Sequence, residues 1–181
     1  MRTVRTNQSG QLLSSEVQDF GGAFSLFKKL KYKGVGSPRV IYYKGIEAFD
    51  AIGRGIEGEI SFVSFELLKN GLLLRFNQNQ RTACLGVKLS DIRAINLTAF
   101  RIKLVVKKKF QATDTKIVHR GVLEICEKEG SKTSFNVIAR EFTDIKSFFE
   151  KPVFTEQFNY ELSDAEPEKD YSHFLNFLGK I

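Results

Sequence analysis

Residues 58–77 read GEISFVSFELLKNGLLLRFN, and this stretch decides the class of fold. Apolar residues alternate on both sides of Lys69-Asn70-Gly71-Leu72, the period of a strand with one buried face. Asn-Gly at the centre of a four-residue turn is a strong hairpin signal, because both residues tolerate positive φ in a type I′ turn. A turn centred there predicts the pairs Leu68–Leu73, Leu67–Leu74, Glu66–Arg75 and Phe65–Phe76. It sets Val63, Phe65, Leu67, Leu74 and Phe76 on one face as core. Ser64, Glu66, Leu68, Leu73 and Arg75 take the other, with Glu66 and Arg75 as a cross-strand ion pair.

The same period continues downstream. Residues 82–89 read as a short strand closed by Ser90-Asp91, a turn-forming pair. Ile95, Leu97 and Ala99 alternate, then the phase shifts to Phe100, Ile102, Leu104 and Val106, which predicts a bulge or corner. Residues 116–127 and 132–138 form a second hairpin around Glu129-Gly130-Ser131. The period then lengthens. Phe142, Ile145 and Phe149 fall at i, i+3 and i+7, giving an amphipathic helix over 139–150 that Pro152 stops.

Upstream, Phe24, Phe27 and Leu30 are placed to line one face of a short helix. Residues 39–43 suit a strand and 46–52 another short helix. On this reading the chain has an N-terminal extension at 1–56, of which 1–15 has the composition of a disordered segment. A β domain follows at 57–151, and an acidic tail at 152–181.

The order of these elements resembles the pleckstrin-homology-like superfold, including its GRAM and bacterial branches. The hairpin at 58–77, the step Val87-Lys88-Leu89-Ser90-Asp91-Ile92, the late hairpin and the helix carry the likeness over about residues 57–151. The resemblance implies a mostly β fold with a C-terminal helix, a partly open antiparallel barrel capped at about 139–150. It also implies a non-enzymatic scaffold whose loops bind lipid headgroups, peptides or partner domains. Phosphoinositide-binding members carry a Lys followed by Arg/Lys-x-Arg near the first hairpin. Here Lys69 and Arg75 are present, but Asn77 stands at the last basic position and the two-residue turn leaves no roomy loop.

Charge is unevenly spread over a chain of net charge +7. Residues 61–151 carry 17 Lys/Arg against 9 Asp/Glu, and residues 152–181 carry 2 against 6. A basic body with an acidic tail attracts anionic partners and gives the tail a surface to meet. Tyr171, Phe174, Phe177 and Leu178 suit docking of that tail on its own barrel or on a second copy. Lys28, Lys29, Lys31 and Lys33 beside Phe24, Phe27 and Leu30 suit either an anionic membrane surface or a helix that caps the barrel. Lys107, Lys108 and Lys109, with Lys103 and Phe110, suit phosphate contacts or a lysine-protected strand end. No RNP-like aromatic pair or helix-turn-helix pattern supports nucleic acid as the partner.

Chemistry is sparsely signalled. Gly53-Arg54-Gly55-Ile56-Glu57-Gly58 matches G-x-G-x-x-G, but a strand rather than a helix is expected after it, so no cofactor follows. His119 and His173 lack metal-ligand spacing. Glu124 and Glu127 point to opposite faces of a strand, so they make no acid/base pair. No G-x-S-x-G elbow presents a nucleophile. Cys84 and Cys126 are isolated, as two small buried side chains in a reducing compartment would be. No apolar run reaches the ~18 residues of a spanning helix, and no apolar signal region follows Met1. The expectation is a cytoplasmic, non-enzymatic binding or adaptor module that takes a protein partner or an anionic membrane surface. A nucleic-acid-binding domain and an enzyme with an unrecognised site are the alternatives.

Overall fold

A strand with one apolar face needs a second surface to bury it, and here the sheet supplies that surface by curling over itself. The computed structural model describes residues 1–5, 12–47, 61–78, 81–106 and 114–163. Its strands are β1 (Arg2–Thr3), β2 (Gly36–Lys44), β3 (Phe62–Leu67), β4 (Gly71–Gln78), β5 (Arg81–Lys88), β6 (Ile92–Val106), β7 (Asp114–Glu127), β8 (Lys132–Val137) and β9 (Phe158–Ser163). Helices α1 (Ser14–Asp19) and α2 (Leu26–Lys31) precede β2, and α3 (Phe142–Phe149) follows β8.

The strands form one mixed sheet in the order β1-β5-β4-β3-β2-β8-β7-β6-β9. Four strands, β2 to β5, run as one meander and three, β6 to β8, as another. β2 joins them by pairing with β3 on one side and β8 on the other. Pro38 lacks an N–H for the ladder, and the β2–β3 register shifts between Gly36 and Arg39. Where the register shifts, Ser37 Oγ accepts the Phe65 N–H at 2.8 Å, so that donor of β3 stays satisfied.

The inner faces of both meanders share a single core with α3. Phe65 of β3 meets Phe135 of β8 edge to face at 5.2 Å and Phe149 of α3 at 5.3 Å, a favoured aromatic geometry. Phe142, Ile145, Phe148 and Phe149 are the buried face of α3, as the 3.6-residue period requires. Pro152 then opens a short 3₁₀ turn, Pro152–Phe154.

The first hairpin keeps the expected faces but not the expected register. Phe65 lies opposite Leu74, Val63 opposite Phe76 and Ser64 opposite Arg75, so the pairing is displaced by two residues. A shift of two preserves every side chain's face, and Val63, Phe65, Leu67, Leu74 and Phe76 are all buried. Lys69 and Asn70 occupy the bend, where the Leu68 N–H donates to the Gly71 carbonyl at 2.8 Å. Neither Asn70 nor Gly71 has positive φ, so this is not the type I′ turn.

Gly71 is instead a site of close approach. A Cβ there would stand 2.5 Å from Cδ1 of Phe20. The Asn70 N–H donates to the Phe20 carbonyl at 2.9 Å and the Lys69 N–H to the Gly22 carbonyl at 3.1 Å. The N-terminal segment thus grips the bend and sets where it falls. Glu66 and Arg75 still pair, but diagonally: Arg75 Nε reaches Glu66 Oε2 at 2.8 Å.

A second, smaller core covers the outer face of β3–β5. Val4, Phe20, Leu68, Leu73 and Cys84 form it, with Leu12 and Val17 against them. Leu68 and Leu73, apolar residues on the nominally exposed face, are explained by this cover. Composition offered no element before residue 15, yet Arg2–Thr3 pairs with β5 and the Val4 N–H donates to the Cys84 carbonyl.

The phase change at Ala99–Phe100 produces no bulge in the pairing. β6 runs opposite β7 without interruption from Ala94 to Val106, and the one irregularity lies between Ile92 and Ala94. Phe100 follows the fully buried Ala99 and is half-buried. The second hairpin matches expectation, with Gly130 at φ +94 in its bend. Residues 158–163 join the sheet as β9, parallel to β6.

Candidate functional site

α2 begins after Ser25 and ends in a tight reversal. The Gly34 N–H donates to the Lys29 carbonyl and the Lys33 N–H to the Leu30 carbonyl, both at 2.9 Å. This is a Schellman ending, with Lys33 at φ +51 in the left-handed position usually given to glycine. Two aromatics flanking the helix anchor it. Phe24 enters the main core, and Tyr32 packs on it edge to face at 5.3 Å.

The helix between those anchors is turned unusually. Leu26 is 72% exposed, Phe27 85% and Leu30 68%. Phe24, Phe27 and Leu30 therefore do not share a buried face, and α2 does not lay its apolar side on the core of the sheet as a cap would; its anchors spend the inward contacts on either side of it. Lys28 and Lys31 are exposed, Lys29 is half-buried, and Lys33 follows in the reversal. None of the ion pairs among the described residues involves any of these four lysines. The result is an apolar ridge bordered by lysines that form no ion pair among the described residues.

Next to the ridge lies a cleft of about 710 Å³ between the end of α2, the start of β2 and α3. Lys31 and Lys33 line one side, and Asp144, Ser147, Glu150 and Lys151 the other. The Lys151 ammonium sits 4.4 Å over the Phe148 ring, and burial lowers its pKa from the ordinary lysine value. Glu150 is engaged by Lys146 at 3.4 Å.

Other residues singled out in the sequence fall elsewhere. Lys107, Lys108 and Lys109, the Gly53–Gly58 motif, His173 and the aromatic residues of the tail lie outside the described residues. His119 is exposed on β7 with its ring 5.7 Å from Phe142. Glu124 pairs with Lys132 at 2.8 Å, while Glu127 pairs with the Met1 amino group. Cys84 and Cys126 are buried free thiols. Among the described residues no three His, Cys, Asp or Glu side chains are grouped to hold a metal ion. No helix there is long and apolar enough to cross a membrane.

No protein-family model matches the chain, and neither does any curated protein. The functional reading therefore stands on the surface itself. The signal for the ridge was present in the sequence as Leu26-Phe27 and Leu30 among lysines. What sequence reasoning missed was the side of the helix that faces out.

Proposed function

We propose that this chain is a PH-like binding module that docks on an anionic membrane surface through α2. The observation that carries the reading is the outward ridge of Leu26, Phe27 and Leu30 with Lys28, Lys31 and Lys33 beside it. Apolar side chains at such a site enter the headgroup boundary while lysines meet anionic lipid. The PH-like part is supported by strand order: a four-strand meander, β2 to β5, and a three-strand meander, β6 to β8, with β2 beside β8, then helix α3 packed into the core.

Cosedimentation with phosphatidylserine vesicles tests it. Each lysine near such a surface contributes roughly fivefold in affinity, so Lys28→Glu with Lys31→Glu should abolish pelleting. Phe27→Ser should weaken it, and raised salt should weaken the parent. Equal pelleting of parent and variants, or no preference for anionic over neutral vesicles, refutes the reading. A protein partner is the second reading, favoured by the adjoining cleft, whose size accommodates inserted side chains. Pull-down unaffected by Lys31→Glu with Lys33→Glu, both lining the cleft, would dismiss that one.

A further inference from the structure

The ridge on α2 is bare among the described residues, and the same chain carries a segment of matching chemistry beyond β9. Residues 164–181 read DAEPEKDYSHFLNFLGKI. Asp164, Glu166, Glu168 and Asp170 crowd its first part. Tyr171, Phe174, Leu175 and Leu178 then recur at i, i+3, i+4 and i+7, the spacing of one helix face. α2 presents the converse surface, with Leu26, Phe27 and Leu30 exposed and Lys28, Lys31 and Lys33 around them. Apolar meets apolar and acid meets base in both parts.

The reach is sufficient. Pro152 lines the cleft together with Lys31 and Lys33. From Pro152 to Ser163 the chain is at most ~40 Å long, and residues 164–181 extend for up to ~60 Å. A tethered segment meets its own ridge at an effective concentration in the millimolar range, far above that of a second molecule in dilute solution.

We propose that residues 164–181 cover the α2 ridge of their own molecule, with the apolar face of the segment on Leu26, Phe27 and Leu30 and its carboxylates beside the lysines. The contact itself is independent of what α2 binds. Its consequence rests on the membrane reading: cover and bilayer compete for the same side chains, so the chain docks weakly until the cover lifts.

The test uses the full-length chain. Cys84 and Cys126 are buried, so Asn176→Cys accepts a nitroxide label selectively, and Asn176 lies off the proposed contact face. Paramagnetic broadening of the amides of residues 26–33 is expected, and Phe174→Ser with Leu178→Ser should remove it. No broadening there overturns the proposal. So does broadening seen only when label and ¹⁵N sit on different molecules, which makes a second copy the occupant. The Phe174→Ser/Leu178→Ser variant should also bind phosphatidylserine vesicles about tenfold more tightly, the factor expected when a nine-tenths covered site is freed; unchanged affinity in a vesicle-binding chain overturns the competition. Intramolecular broadening in a chain that binds no vesicles, with or without those substitutions, supports the cover and refutes the membrane reading alone.

Discussion

Replacing Gly86 by alanine probes the contact that ties the N-terminal segment to the sheet. Phe20 is 1% exposed, and its ring lies where Gly71 and Gly86 leave the outer face of the sheet bare. A Cβ at Gly86 would stand 2.2 Å from Cζ of Phe20, and the guanidinium of Arg2 sits 4.9 Å from the ring centroid. The ring cannot stay in place beside a methyl group at that distance. Overpacking of this kind costs about 1–3 kcal/mol, and Gly86→Ala should fall at the upper end because the ring itself must shift. Phe20→Ala empties the site and should cost about 3–5 kcal/mol. In the Phe20→Ala background the methyl at position 86 meets open space, so adding Gly86→Ala should cost less than ~0.5 kcal/mol. Its sign there could even reverse, since alanine is better than glycine inside a strand by about 0.5–1 kcal/mol. The expected coupling is about 2–3 kcal/mol. Urea unfolding followed by circular dichroism gives all four stabilities. Additivity within ~0.5 kcal/mol would refute the reasoning, for it would mean that the ring does not rest on Gly86.

Three further outcomes follow from single sites. Asn136 is buried between Ile41 and Val122 of the neighbouring strands, and its Nδ2 has no hydrogen-bond partner among the described residues; Asn136→Val should stabilise the fold by about 1 kcal/mol in urea unfolding. Lys33 holds φ +51 at the end of α2, so Lys33→Gly should raise stability by up to ~1 kcal/mol, and a loss would argue against the left-handed ending. Burial pushes the Cys84 thiol from 9.0 up to about 11. The folded thiol stays neutral while the unfolded one ionises, so its contribution is whole below about pH 9 and is lost as pH rises toward 11. The loss amounts to about 2–3 kcal/mol, and a Cys84→Ala variant should show a flatter stability profile over that window.

Alternation along 62–76 determined the core faces of the first hairpin without help from the fold, because strand side chains repeat every two residues. The same property made those faces insensitive to the true register, which differs by two. Turn chemistry at Asn70-Gly71 pointed to positive φ, but Gly71 is there because Phe20 needs the space, a contact about fifty residues away in sequence. The helix at 142–149 was legible for a similar reason: four apolar side chains at helical spacing have one economical burial. At α2 that argument fails. A short amphipathic helix buries its apolar side only if something packs on it, and here Phe24 and Tyr32 hold the helix while Leu26, Phe27 and Leu30 face water. Likewise, residues 158–163 fall in the stretch assigned from sequence to an acidic tail, yet they form β9, whose parallel place beside β6 depends on the chain's return past α3. Periodicity is local and survives in the sequence. Which surface meets which, and which is left uncovered, depends on non-local packing, and only the tertiary structure decided it.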